Sequence, residues 1–273
     1  MSVIRPAAVA GLFYPDDPRQ LAHDVQQLLA QARTGGEFHV KALIAPHAGY
    51  IYSGAIAATA YATLAPVAAR IRRVVLLGPT HRVAVRGLAL PDAEAFDTPL
   101  GRVMLDTAAA RSIAHLPQVS INATTHAQEH SLEVQLPFLQ SILDDFTLLP
   151  LAVGMATAEE VAEVLEILWG GEETLIVVSS DLSHYLPYAA AQRVDNATVE
   201  SILALRPVAH DHACGGTPIG GLMLAARHHH LTPHLLDLRN SGDTAGSHDK
   251  VVGYAAFSFT ETAEFPEETG HVG

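Results

Sequence analysis

The apolar residues of this chain form short, almost continuous runs that alternate with longer segments of helical periodicity. Runs of about four to eight residues rich in Val, Ile and Leu are typical of strands that are covered on both faces of a sheet. On this basis we predict strands over 40–45, 73–77, 87–90, 146–153, 174–178, 234–238 and 251–259.

The intervening segments carry apolar residues at the spacing of amphipathic helices. We predict helices over 17–32, 54–64, 106–115, 158–168, 189–205 and 217–228. The alternation of strands and helices predicts an α/β fold, with a largely parallel mixed sheet and helices on both faces. We expect one domain over 1–273, in which the acidic segment 260–273 frays.

The composition narrows the classes of function. Acidic residues outnumber basic ones by 29 to 16, and the formal charge of -13 argues against a nucleic acid partner. No run of about 18 apolar residues occurs, so we expect no membrane span. Cys214 is the single cysteine, which excludes an intrachain disulfide and fits a reducing cytoplasm. The 16 histidines invite a search for metal or proton-transfer chemistry.

Polar residues suited to that chemistry follow several predicted strands. They are His47 in "APHAGY", His81 in "GPTHR", Asp181 and His184 in "SSDLSHY", and Asp243 in "NSGDT". Ligands of open α/β sheets bind at the carboxyl ends of the strands, so we expect these side chains to meet there. Two histidines and one carboxylate would suit non-haem Fe(II), with His184 as a base that Asp181 orients.

Each of these residues also has an ordinary structural explanation. A lone histidine after a strand is commonly a hydrogen-bonded turn residue, and Asp181 would equally suit a helix cap or a turn. Asp243 stands in a stretch of common turn residues. In "CGGTPIGG", Thr217 precedes a proline suited to the first turn of a helix, whose free N–H groups would bind an anion or simply be capped.

A second histidine pattern supports a rival enzyme. His126, Glu129 and His130 spell H-x-x-E-H, which on a helix would place both histidines on one face for a zinc hydrolase. Pro137 interrupts the helix soon afterwards, and the pattern is short. The alternative is that Glu129, His130 and Glu133, like Tyr50, line the cleft beside the strand ends.

The segments "LIAPHAGYIYSG", "VVLLGPTHR", "EHSLEVQLPF", "SSDLSHY" and "VVGYAAFSF" occur in an order that resembles the Memo family, also called AmmeMemoRadiSam system protein B. The resemblance implies a fold similar to that of class III extradiol ring-cleavage dioxygenases, which hold Fe(II) with two histidines and a glutamate. It also implies association with a radical-SAM protein in a modification pathway.

Carried over to this chain, the resemblance makes His47 and His81 the paired metal ligands and His184 the catalytic base beside Asp181. Eukaryotic members have a cysteine at the position of Thr244, and Asp243 is the carboxylate that this chain offers nearby. We therefore expect Asp243 as third ligand and Thr244 in the substrate cleft. Fe(II) is the expected metal, with copper and zinc as alternatives.

Two functions follow from these observations. One is a metal-dependent, oxidoreductase-like protein, for which a dioxygenase is the nearest enzyme class, acting on a small molecule or peptide. The other is a binding module that holds a peptide or an anion in the same cleft without chemistry.

Overall fold

The computed structural model describes residues 3–32, 39–209 and 211–261. The helices of these residues are α1 (Pro18–Gln31), α2 (Tyr50–Ala62), α3 (Thr107–Ile113), α4 (Ala123–Ala127), α5 (Leu136–Ile142), α6 (Ala158–Leu168), α7 (Tyr188–Leu203) and α8 (Gly216–His228). The strands are β1 (Ile4–Arg5), β2 (Val40–Ala45), β3 (Arg73–Pro79), β4 (Leu88–Leu90), β5 (Ala95–Thr98), β6 (Gly101–Met104), β7 (Val119–Ile121), β8 (Thr147–Val153), β9 (Thr174–Ser179), β10 (His184–Leu186), β11 (Leu231–Asn240) and β12 (Val251–Glu261). Across these ranges, no helix combines the length and apolar character needed to cross a bilayer.

Nine of the strands form one mixed sheet in the order β10-β12-β2-β9-β3-β8-β4-β7, with β11 paired to β12. The four strands at its centre, β2, β9, β3 and β8, are parallel to their neighbours within this group. Antiparallel pairs join β12 to β2 and β4 to β8 on either side. The predicted α/β class is therefore confirmed, with a parallel centre and antiparallel flanks. A smaller sheet has the order β1-β5-β6.

Helices cover both faces of the large sheet. Along β2, Leu43 belongs to the hydrophobic core that includes Ile56 of α2, whereas Ile44 belongs to the core that includes Leu222 of α8. Successive side chains of a strand point to opposite faces, so a strand between two cores is apolar at most positions. All six residues of β2 are buried, and five of them are apolar; the exception, Lys41, donates its Nζ to three backbone carbonyls.

The strongest sequence signals gave the most accurate boundaries. The predicted strand 40–45 and helix 158–168 coincide with β2 and α6, and the capping box of α6 forms between Thr157 and Glu160. Helix α2 begins at Tyr50, four residues before its predicted start. Short elements without a periodic signal were missed; they are β1, β5, β6, β7, β10, α4 and α5. Strand β12 includes residues 260–261 of the segment expected to fray, and 262–273 lie outside the described residues.

A buried carboxylate ties the N-terminal segment to the main body of the fold. Glu133 is fully buried and accepts hydrogen bonds from the Arg5 guanidinium (2.7 Å), the Tyr14 hydroxyl (2.6 Å) and the backbone N–H groups of Ala8 (2.8 Å) and Val9 (2.9 Å). These bonds place Phe13 against the ring of His130, with the ring centroids 4.8 Å apart. Glu133, expected to line the cleft, therefore acts in the structure as an anchor.

We expect Glu133→Gln to lower the free energy of unfolding by about 3 kcal/mol or more, because the substitution leaves the buried Arg5 guanidinium without a counter-charge. The matched control is Glu172→Gln, which breaks the exposed Arg70–Glu172 ion pair (3.2 Å) and should change stability by less than about 0.5 kcal/mol. Urea unfolding of both variants measures the difference. Similar values for the two would show that the Glu133 cluster does not hold the N-terminal segment.

Candidate metal centre

Three polar side chains meet at the carboxyl edge of the parallel strands. Strand β9 lies between β2 and β3, so the carboxyl ends of all three strands are adjacent. His47, Asp181 and His81 each stand two residues beyond the end of β2, β9 and β3, respectively. This is the convergence expected from the sequence, and the ring centroids of the two histidines are 5.2 Å apart.

His47 is held rigidly at this edge. Its side chain is buried, its Nδ1 is 2.8 Å from the Ser179 hydroxyl, and its backbone N–H donates to Asp181 Oδ1 at 2.8 Å. These contacts leave Nε2 as the ring nitrogen directed into the cleft, where it lies 3.3 Å from the sulfur of Cys214. Asp181 therefore orients the backbone of His47 and not, as expected, the ring of His184.

His81 is oriented by a carboxylate. Its Nδ1 is 2.9 Å from Glu129 Oε1, and its backbone N–H donates to Glu129 Oε2 at 2.5 Å. Glu129 is itself buried and also accepts the N–H of Ser131 at 3.0 Å. Because Nδ1 is occupied, Nε2 is the nitrogen that His81 offers to a metal. A carboxylate behind a histidine in this manner is the usual support of a metal-ligating imidazole.

Cys214 completes the group from a distant segment of the chain. Its backbone N–H donates to the Asp181 carbonyl at 3.3 Å, and its sulfur accepts the Asp181 N–H at 3.3 Å, which fixes the residue beside the end of β9. One nitrogen of His47, one of His81 and the sulfur of Cys214 all lie within 4.8 Å of one another. Nitrogen and sulfur ligands of one ion, at about 2.1 and 2.3 Å from it, are separated by about 3.4–3.6 Å in tetrahedral geometry.

Burial favours the neutral form of two of the histidines here, His47 and His130. Burial, reinforced by neighbouring His81 and His130, holds the pKa of His47 well below its ordinary value. Burial and the proximity of His81 likewise lower the pKa of His130 to about 4. A metal competes only with protons for an imidazole nitrogen, so neutral rings are ready to act as ligands.

The pKa values of the acidic groups at the centre are shifted in different directions. Burial raises the pKa of the Asp181 carboxyl to about 7, although the His47 N–H opposes the shift. Burial also disfavours ionisation of Glu129, but hydrogen bonds from His81 and Ser131 outweigh it and lower its pKa to about 2. Burial and the Asp181 carboxyl raise the pKa of the Cys214 thiol to about 12.

The loop that contains Asp243 lies elsewhere on the same edge. Strand β11 is separated from β2 by β12, and two strand spacings amount to about 10 Å. The Asp243 carboxylate accepts the Tyr188 hydroxyl (2.5 Å) and the Asn240 N–H (2.8 Å). It belongs to no group of metal-ligand atoms in the described chain. Thr244, beside it, donates its hydroxyl to the Ser241 carbonyl at 3.2 Å.

The remaining residues predicted to form the site lie at different distances from its centre. His184 begins β10 as an exposed residue, and the partial loss of solvent around its ring lowers its pKa. His130 is in the cluster, with its ring centroid 4.5 Å from that of His81. The Tyr50 hydroxyl donates to the Val134 carbonyl at 2.8 Å, so Tyr50 is structural. Thr217 stands in the first turn of α8, three residues after Cys214.

The face required by the zinc-hydrolase pattern is not formed. Helix α4 ends at Ala127, before Glu129 and His130, so the three residues do not share a helix. The buried ring of His126 places Nε2 2.8 Å from the Ala89 carbonyl, in contact with the sheet. Glu129 and His130 join His81 instead.

Two members of the centre were not recognised in the sequence. The sequence marked Cys214 only as the single cysteine, and Glu129 was expected either to belong to the zinc pattern or to line the side of the cleft. The one signal for Cys214 was its position directly before Gly215 and Gly216, where the chain passes close to the end of β9. A Cβ at Gly215 would lie 2.6 Å from the side chain of Ser180, so this approach requires glycine.

Comparison with known proteins identifies the family of this chain. The family model described as Memo-like protein matches residues 5–258. Similar relatives are a MEMO1 family protein of Metallosphaera sedula, 32% identical over 94% of this chain and 99% of its own, and MEMO1 family protein Mbar_A1422 of Methanosarcina barkeri, 35% identical over 93% and 98%. A MEMO1 family protein of Aquifex aeolicus is 34% identical over 94% and 99%.

Among solved structures, the uncharacterized protein JW3007 of Escherichia coli K12 is similar with a TM-score of 0.49 and 14% identity, over 80% of this chain and 99% of that one. The three sequence relatives, unlike the Escherichia coli protein, are more than 30% identical to this chain and align with it over almost their full lengths. Together with the family model that spans nearly all the described residues, they show that the chain belongs to the family of Memo-like proteins.

Proposed function

We propose that this chain binds one redox-active transition metal ion between His47 Nε2, His81 Nε2 and Cys214 Sγ, and that it acts as a non-haem, oxidoreductase-like protein at this centre. The observation that carries the proposal is the convergence of these three donor atoms, from three separate segments, within 4.8 Å of one another. Glu129 and Ser179 support it, because each contacts the other ring nitrogen of one histidine.

The donor set favours particular metals. Imidazole suits iron, copper and zinc, and a thiolate shifts the preference towards softer ions such as Cu(I) and Zn(II). We propose Fe(II) or copper as the functional ion, with the Cys214 thiolate as the anionic ligand in place of the carboxylate of the two-histidine site. Such an ion supplies one-electron or oxygen chemistry when bound.

A cysteine nucleophile is the competing use of the same atoms, since Cys214 Sγ lies 3.3 Å from His47 Nε2. A nucleophilic cysteine needs a lowered pKa, because the thiolate is the reactive form. Burial instead raises the pKa of Cys214 to about 12, so the thiol stays protonated at neutral pH. A metal ion deprotonates a coordinating thiol outright, which makes the metal the better explanation for a half-buried cysteine whose pKa is raised.

The cleft beside the three donors is suited to proton exchange with a substrate. His184 is exposed, yet the partial desolvation of its ring and the nearby His81 lower its pKa, which favours the neutral imidazole. A neutral imidazole accepts a proton at Nδ1 or Nε2, so we assign His184 the role of base towards a bound substrate. Asp181, which supports His47 through its backbone, has a positioning role.

Anaerobic titration with Fe(II) or Cu(I) tests the proposal. We expect the untagged protein to bind about one equivalent tightly, and expect His47→Ala and His81→Ala each to weaken that binding by at least a hundredfold, because each removes one of three donors. His23→Ala, which changes an exposed histidine of α1, is the matched control and should bind as the unchanged protein does. Equal affinity in all four proteins would rule out the proposed centre.

A further inference from the structure

A second group of metal-ligand side chains lies at the opposite edge of the sheet from His47 and His81. It consists of Glu166 in α6 and of His228 and His229 at the end of α8. Trp169 caps the carboxyl end of α6, and its carbonyl accepts Lys41 Nζ at 2.6 Å near the start of β2. This group therefore lies at the amino end of β2, whereas the proposed metal centre lies beyond its carboxyl end.

The distances within this group match those between ligands of a single ion. His228 Nδ1 is 2.9 Å from Glu166 Oε1, and His229 Nε2 is 2.9 Å from Glu166 Oε2. Nitrogen and oxygen ligands bound at about 2.0–2.2 Å, with angles between 90 and 110°, are separated by about 2.9–3.4 Å. His228 keeps 70% of its side chain exposed, so an ion can reach the group from solvent.

Neighbouring side chains hold one of the ligands in place before any ion binds. The ring of His229 stacks on the indole of Trp169, with centroids 3.8 Å apart and planes 8° apart. Lys41 Nζ lies 5.3 Å from the centroid of the same indole and is itself fixed by three backbone carbonyls. A ligand whose rotamer is already restricted loses less entropy on binding, which favours affinity.

The geometry assigns a divalent-metal site to Glu166, His228 and His229, separate from the centre at the strand ends. Two imidazoles and one carboxylate form a ligand set that Zn²⁺ accepts, with the fourth position left to water. Copper(II) binds such nitrogen and oxygen donors still more tightly and serves as a probe. Because the ligands come from α6 and α8, a bound ion cross-links these two helices and raises the stability of the fold.

The protein carries its own reporter for this site. Trp169 is the single tryptophan of the chain and stacks on His229, so an ion bound there quenches the intrinsic fluorescence directly. We expect Cu²⁺ to quench the untagged protein saturably within about two equivalents, since the other centre also takes copper, and expect Zn²⁺ in excess to reverse the effect. In His228→Gln and in Glu166→Gln, the apparent dissociation constant for quenching should rise at least tenfold, because each loses one of three ligands.

Two controls separate this site from other binding. His23→Gln, at an exposed histidine of α1, should quench as the unchanged protein does, and so should His81→Ala, which removes a ligand of the other centre. Quenching that rises linearly without saturation, or that is equal in His228→Gln, Glu166→Gln and the unchanged protein, would overturn the assignment. Glu166, His228 and His229 would then only form hydrogen bonds between α6 and the end of α8.

Discussion

Replacing Cys214 with serine is expected to lower the affinity for Fe(II) or Cu(I) at least a hundredfold, or about 3 kcal/mol. The reason is geometric, since the sulfur lies 3.3 Å from His47 Nε2 and supplies the one anionic donor of the group. A serine hydroxyl is a harder donor and ionises far less readily, so it does not replace a thiolate. Equilibrium competition with a chromophoric chelator under anaerobic conditions measures the difference.

The matched variant is Asp243→Asn, which changes the carboxylate expected from the sequence to be the third ligand. Asp243 accepts the Tyr188 hydroxyl and the Asn240 N–H, and its strand is two positions away from β2. We therefore expect its metal affinity to stay within twofold of the unchanged protein. A large loss in Asp243→Asn with none in Cys214→Ser would restore the two-histidine, one-carboxylate site.

The second large effect is expected from Glu129→Gln, which should lower metal affinity by about 10- to 100-fold without removing a ligand. The carboxylate contacts both the Nδ1 and the backbone N–H of His81, and also accepts the N–H of Ser131. A glutamine has only one acceptor oxygen, so one of these groups would face its amide N–H₂. His81 would then lose the orientation that directs Nε2 into the cleft.

The control for this variant is Glu159→Gln, at an exposed carboxylate in the first turn of α6. It changes the net charge by the same amount but contacts none of the three donors. Metal affinity equal in both variants would show that Glu129 is not a support of the centre. Far-ultraviolet circular dichroism distinguishes a local effect from loss of the fold.

The sequence was sufficient to place the two histidines, and the reason is physical. Strands β2, β3 and β9 are buried on both faces, so each contains a run of four apolar residues whose end is well defined. In a parallel sheet those ends share one edge, so residues two positions beyond them must be near one another. His47 and His81 follow from this rule without knowledge of any loop.

The third donor was not predictable by the same rule. Cys214 belongs to no strand, and it lies 167 positions from His47 along the chain. It reaches the centre through backbone bonds to Asp181 and through a close approach at Gly215 that only a three-dimensional structure reveals. Asp243 obeyed the strand-end rule, but β12 lies between its strand and β2.

The zinc pattern failed for a related reason. The spacing of His126 and His130 implies one shared face only if the helix continues, and α4 ends between them at Ala127. Arg5 contributes to this ending, since its side chain donates to the His126 carbonyl at 2.6 Å and to the Glu129 carbonyl at 2.7 Å. These contacts join residues more than 120 positions apart, so the local sequence around His126 does not predict them.

X-ray absorption at the edge of the bound metal is the sharpest test of a centre formed by His47, His81 and Cys214. The measurement uses His228→Gln protein loaded with one equivalent, so that the second site does not contribute. We expect one sulfur neighbour at about 2.3 Å together with at least two nitrogen neighbours, and loss of the sulfur shell when Cys214→Ser is added. A spectrum with only nitrogen and oxygen neighbours before that substitution would contradict this expectation.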